Sequence, residues 1–117
     1  MQLEPRDLAL LHDISAACSE IETFIRGMSR AAYLKDSMTQ RAIERDLEII
    51  GEAAKGLSDE IREEMKELPW RAIIGLRNVL IHNYGKVDPA MIWETIDLKV
   101  PQLQKRISKI PELRNSK

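Results

Sequence analysis

Several residue types are scarce in this chain of 117 residues, and each scarcity excludes something. There is one cysteine, Cys18, so no internal disulfide and no multi-cysteine zinc site is available. Five glycines and five prolines leave long uninterrupted segments, which points to an all-α fold. No apolar run approaches the roughly 18 residues that a membrane-spanning helix needs. The N-terminus has no basic-then-apolar leader, so a cytoplasmic location is expected. No charge of either sign dominates: 18 Lys and Arg stand against 19 Asp and Glu, a formal net charge of −1. That balance does not announce a nucleic-acid binder, and an RNA substrate would require basic groups focused in one cleft. There is no Gly-rich phosphate loop and no closely spaced set of histidines or acids that reads as a metal site, so neither cofactor nor metal is expected. What is present is a 44% apolar and 32% charged chain, the composition of a globular protein of one domain, residues 1–117.

Apolar residues at steps of three and four mark the helices. Leu11, Ile14, Cys18, Ile21, Ile25 and Met28 form one stripe, predicting a helix over 5–28 with Cys18 as a small buried hydrophobe. His12 sits beside the stripe with nothing near it to complete a site. A short turn fits Ala31 to Leu34. Ser37-Met38-Thr39-Gln40 reads as a capping box, with Ser37 as N-cap, opening a helix to about Lys55 that Gly56 stops. Its stripe is Ile43, Leu47, Ile50, Ala54 and Leu57. Its charges Arg41, Arg45, Glu48 and Glu52 are spaced to pair along the helix, to hold another charge or to line a cleft. Ser58, followed by Asp59 and Glu60, caps a shorter helix to Met65. Asp88 and Pro89 start the last helix, with Ile92, Ile96, Leu103, Ile107 and Ile110 inward and a kink expected at Pro101. From Pro111 the tail is polar, and 111–117 are expected to fray. The architecture predicted is an antiparallel bundle of four main helices and one or two short ones.

The stretch Trp70 to Gly85, WRAIIGLRNVLIHNYG, is organised differently. Pro69 suits its first turn and Gly85 the position past its end. At about 100° per residue, Trp70, Ile73, Ile74, Leu76, Val79, Leu80 and Ile81 fill an arc of roughly 220°, which predicts a helix buried on most sides. Arg71, Gly75, Asn78 and His82 share the narrow remaining face. Arg77 projects from within the apolar arc, where a guanidinium is costly unless it is paired or reaches a wet cleft. A salt bridge to Glu48 or Glu52 would satisfy it. One turn thus offers a fixed cation, a titratable imidazole and an amide.

Arg77-Asn78-Val79-Leu80-Ile81-His82-Asn83-Tyr84 resembles the Arg-x4-His-x-Tyr motif of HEPN domains of the HepT type. Leu47 to Lys55, Pro69-Trp70-Arg71 and Val87-Asp88 leading to Ile92-Trp93-Glu94-Thr95 resemble the same family, so the likeness covers most of residues 5–112. The chain departs from it at Gly85, where a bulkier residue is expected. The resemblance implies a toxin ribonuclease of a two-gene toxin–antitoxin module, cutting RNA, tRNA among the candidates, without metal. In such chemistry the 2′-OH attacks the phosphate. His82 would move protons, since histidine as a side-chain type titrates near neutrality. Arg77 would stabilise charge on the phosphate, and Asn78 would orient His82 or donate to a phosphate oxygen.

One subunit offers a single such histidine, so a two-fold homodimer with a composite site is expected, and Gly75 would permit the close approach of a partner helix or a sugar–phosphate backbone. The resemblance further implies an MntA-type nucleotidyltransferase antitoxin as partner, which adenylylates Tyr84. A non-catalytic nucleotide- or substrate-binding subunit of a nucleotidyltransferase and a purely structural dimerisation domain are the competing readings. Trp70 and Trp93 read as packing residues rather than base-stacking platforms.

Overall fold

The computed structural model describes residues 3–83 and 87–114, and every described element is helical. The long helices are α1 (Pro5–Ile25), α3 (Ser37–Gly56) and α5 (Trp70–His82). Short helices α2 (Arg30–Leu34), α4 (Asp59–Glu64) and α8 (Pro111–Arg114) join or follow them. The fourth main element is a compound arm: α6 (Pro89–Glu94), a π-helical turn (Thr95–Lys99) and α7 (Val100–Ile107). This is the expected all-α bundle. No described helix is long and apolar enough to cross a membrane.

The apolar stripes meet in one core. Leu11, Ile14, Cys18 and Ile21 of α1 are buried together with Ile43, Leu47, Ile50 and Ala54 of α3. From the arm, Ile92, Ile96, Val100, Leu103 and Ile107 join them. Burial comes first among the causes that push the Cys18 thiol up to about 12, which makes it the inert hydrophobe expected. Tyr33 of α2 is wholly buried, and its ring lies 5.3 Å from that of Trp93, tilted by 40°. Trp70 is buried too, its indole N–H donating to the Met65 carbonyl at 2.9 Å. Both tryptophans are therefore packing residues.

Among the described residues two carboxylates are buried. Asp7 of α1 accepts from the Ser58 backbone N–H (2.9 Å) and hydroxyl (2.7 Å), tying α1 to the start of α4. Ser58 is also the cap of α4, as expected, its oxygen accepting from the Ile61 N–H. Asp46 of α3 is less well served: its Oδ2 has no partner. Burial, followed by the neighbouring Glu20 carboxyl, pushes its own carboxyl up to about 7.

Four local expectations need correction. Asp36, not Ser37, caps α3: its carboxylate accepts from both the backbone N–H and the hydroxyl of Thr39, at 3.0 and 2.7 Å. An ionised carboxylate is a stronger acceptor than a serine hydroxyl, and here it holds two donors. Gln40 accordingly does not close a capping box and donates to the Tyr33 carbonyl instead. Pro101 sits in the first turn of α7, and the π turn absorbs its disruption. The carbonyl four residues back, which the proline ring crowds, belongs to Asp97 within that wider turn, where the Val100 N–H reaches Thr95. Finally, the chain does not end its order at Pro111, since α8 follows and Leu113 is buried.

Candidate active site

Helix α5 leans on α3 and on little else. The apolar arc read from its sequence is real, but it is not enclosed on most sides. Trp70 and Leu80 are buried, Ile73, Ile74 and Leu76 only partly, while Val79 and Ile81 are 38% and 42% exposed. Between α5, α3 and the arm lies an apolar groove of about 220 Å³, lined by Leu47, Ile50, Ile73, Leu76, Met91 and Val100 among others. It falls on the opposite side of α5 from the polar strip. The strip itself is bare: Arg71, Asn78 and His82 are exposed, and a Cβ placed on Gly75 would meet nothing within 4 Å.

Arg77 stands at the α3–α5 crossing. A Cβ on Gly51 of α3 would come within 2.2 Å of the Arg77 Cβ and 3.1 Å of the Ile73 carbonyl oxygen, so only glycine lets the two helices touch here. The Arg77 side chain, 20% exposed, then emerges along α3 and meets Glu52, Nη2 to Oε2 at 2.7 Å. Its Nη1 donates to the Asn78 Oδ1 at 2.8 Å. Its Nε is buried with no partner. Of the two acids that the sequence offered, the crossing selects Glu52. Glu48 pairs along its own helix with Arg45 at 3.3 Å.

Asn78 is thus brought to Arg77, where the sequence also allowed it to orient His82. An arginine is donor-only, which fixes the amide oxygen toward it and leaves the amide NH₂ outward. His82 closes α5, exposed and without a hydrogen-bond partner among the described residues. It follows Arg77 by five residues, about 140° round the helix and one turn along. Within one chain the cation and the imidazole flank a ridge and do not touch. Tyr84, the expected modification site, and Gly85, the expected helix stop, lie outside the described residues. No group of three or more metal-ligating side chains occurs among the described residues.

Sequence reasoning from stripes alone missed Gly51 as a site residue. The available signal was a glycine inside a helical pattern, between Leu47 and Ala54 on the packing face, where alanine would be the better helix former.

A half-buried arginine at a glycine crossing, with an exposed amide and an exposed imidazole beside it on the same helix, suits anion recognition and proton transfer. Comparison with known proteins points the same way. The chain matches the family described as "Ribonuclease HepT-like" over residues 14–110. It is similar to "Putative RNase TTE0752" of Caldanaerobacter subterraneus subsp. tengcongensis, 41% identical over 100 residues, which are 86% of this chain and 89% of that protein. It is similar to "Probable ribonuclease HepT" of Thermococcus cleftensis, 38% identical over 100 residues, 86% of this chain and 91% of that protein. "Putative RNase MJ1380" of Methanocaldococcus jannaschii is 32% identical over 106 residues, 90% of this chain and 97% of that protein. No solved structure matches the chain.

Proposed function

The chain belongs to the HepT-like ribonuclease family, and we propose that it is a metal-independent endoribonuclease toxin whose working site is shared by two copies of α5. The observation that carries this reading is the state of Arg77. A guanidinium has five N–H donors. Two are taken, by Glu52 and Asn78, and the Nε–H is buried, so one donor on each terminal nitrogen is left for phosphate oxygens. That fork suits a phosphodiester, whose charge rises as the substrate 2′-OH attacks the phosphorus and the 5′-oxygen leaves.

The attack needs a base for the 2′-OH proton and an acid for the departing oxygen. His82 from one copy takes the first role and His82 from the other the second. The exposure of Val79 and Ile81, at the two edges of the apolar arc, supports a second copy as their cover, and the open space at Gly75 supports close helix approach. RNA, tRNA among the candidates, is the substrate. Tyr84, two residues beyond His82, is the control point. A nucleotidyltransferase antitoxin adenylylates it, and the added negative charge and bulk repel and occlude RNA.

The test is RNA cleavage in EDTA with analysis of the product ends. Wild type should leave 2′,3′-cyclic phosphates. Arg77→Ala and His82→Ala should each lower cleavage by about 100-fold or more while the helical circular dichroism is kept. Full activity in either variant sinks the proposal, and binding of RNA without cutting it moves the chain to the non-catalytic reading.

A further inference from the structure

Glu52 has a place in the site that its chemistry class alone does not suggest, since an acid beside a phosphate-binding arginine repels the substrate it stands next to. The carboxylate is 63% exposed and the arginine 20%. An ion pair so open to solvent adds little to stability. What it does fix is direction. Arg77 leaves α5 at the Gly51 contact, where its Cβ and Cγ are pressed against α3 and only its outer part is free to turn. The buried, unpartnered Nε gives no anchor of its own. Glu52, the residue after Gly51, grips Nη2 from α3, while Asn78 grips Nη1 from α5. The guanidinium plane is held at both ends by two different helices.

We propose that Glu52 is a positioning residue for the cleavage reaction, holding the Arg77 fork so that its two unused donors face the reacting phosphate. This rests on the function proposed above and extends it to a residue of α3 that touches no substrate. The cost of the arrangement is weaker ground-state binding of RNA, because a carboxylate remains near the phosphate. Its gain appears in the transition state, where a fork already aimed needs no reorganisation.

The signature is a split between kcat and KM. Glu52→Ala should lower kcat by about tenfold to 100-fold, the range expected when a reacting group is misplaced by about 1 Å. KM should stay level or fall, since a repelling charge has gone. Glu52→Gln keeps an oxygen that accepts from Nη2 and should recover most of kcat while also lowering KM. Thermal melts of both variants should stay close to wild type. In ¹⁵N spectra the two Arg77 Nη signals should be distinct in wild type and in Glu52→Gln, and should merge in Glu52→Ala.

An increase in kcat for Glu52→Ala would identify the pair as a brake and overturn the proposal. So would a loss of kcat that tracks a lowered melting temperature, or an Ala variant no worse than Gln. Arg77→Ala separates the two levels of failure. If it is inactive and Glu52→Ala is normal, only the role of Glu52 falls. If Arg77→Ala cleaves like wild type, the proposed function falls and this role with it.

Discussion

Gly51→Ala tests the crossing on which the site is built. In a solvated helix interior this change stabilises by about 1 kcal/mol, because alanine is the better helix former. Here the new Cβ would lie 2.2 Å from the Arg77 Cβ, 3.0 Å from its Cγ and 3.1 Å from the Ile73 carbonyl oxygen. Carbon pairs rest at about 3.5–4.0 Å, so α5 must back away by roughly 1.3–1.8 Å. No side-chain rotation relieves this, since a Cβ and a backbone oxygen move only with their helix. Overpacking costs about 1–3 kcal/mol, and a contact this rigid belongs at the upper end. Set against the propensity gain, the net loss is about 2 kcal/mol. At an m-value of about 2 kcal/mol/M the urea midpoint should fall by about 1 M with m unchanged. RNA cleavage should fall further than stability does, by about 100-fold, because Arg77 is displaced by more than about 1 Å. The companion Gly75→Ala, which meets nothing within 4 Å, should instead raise the stability of the isolated chain by about 1 kcal/mol. A Gly51→Ala protein as stable as wild type, or more so, would refute the reasoning.

Three further outcomes follow from groups away from the site. Asp7→Ala strands half-buried Ser58, whose N–H and hydroxyl both donate to that carboxylate, and should cost about 1–3 kcal/mol in urea unfolding. Asp46 has a folded-state pKa raised from 3.8 to about 7, so the folded protein holds a proton that the unfolded chain has released; stability should decline as pH rises across that window and level off above it. Asp46→Asn should flatten the decline and be the more stable protein at pH 8, and an unchanged slope in the variant would assign the effect elsewhere. Cys18 should resist a disulfide reagent at pH 8 and react only as fast as the protein opens, and rapid labelling of the native protein would contradict the burial that pushes its thiol up to about 12.

Much of this fold is legible because it is helical, and a helix writes its buried face into the spacing of its apolar residues. The stripes of α1, α3 and the arm are the core, and Ser58 and Asp88 cap where their types and positions say. The failures have a common physical origin in choices between neighbours. Asp36 and Ser37 are both capping types, and only the backbone, non-helical at one and helical at the other, decides which side-chain oxygen faces Thr39. Pro101 announces a disturbance but not its form as a π turn. For α5 the wheel identifies apolar residues without saying what covers them, so Val79 and Ile81 read as core and stand in the open. The motif residues Arg77, Asn78 and His82 were visible as a group. The choice of Glu52 over Glu48 was not, because it depends on where two helices cross, and that point is set by a missing side chain at Gly51.

The π turn in the arm has a consequence for how this chain varies. Before it, α6 rests on α2; after it, α7 rests on α1. The wide turn takes up one residue more than an α-helical turn does, so losing one residue between Thr95 and Lys99 would close the segment as ordinary α-helix and leave Leu103, Ile107 and Ile110 on the core. The phase of the arm survives such a loss, and its cost falls on the backbone at Pro101, whose ring would then crowd a regular α-helical turn.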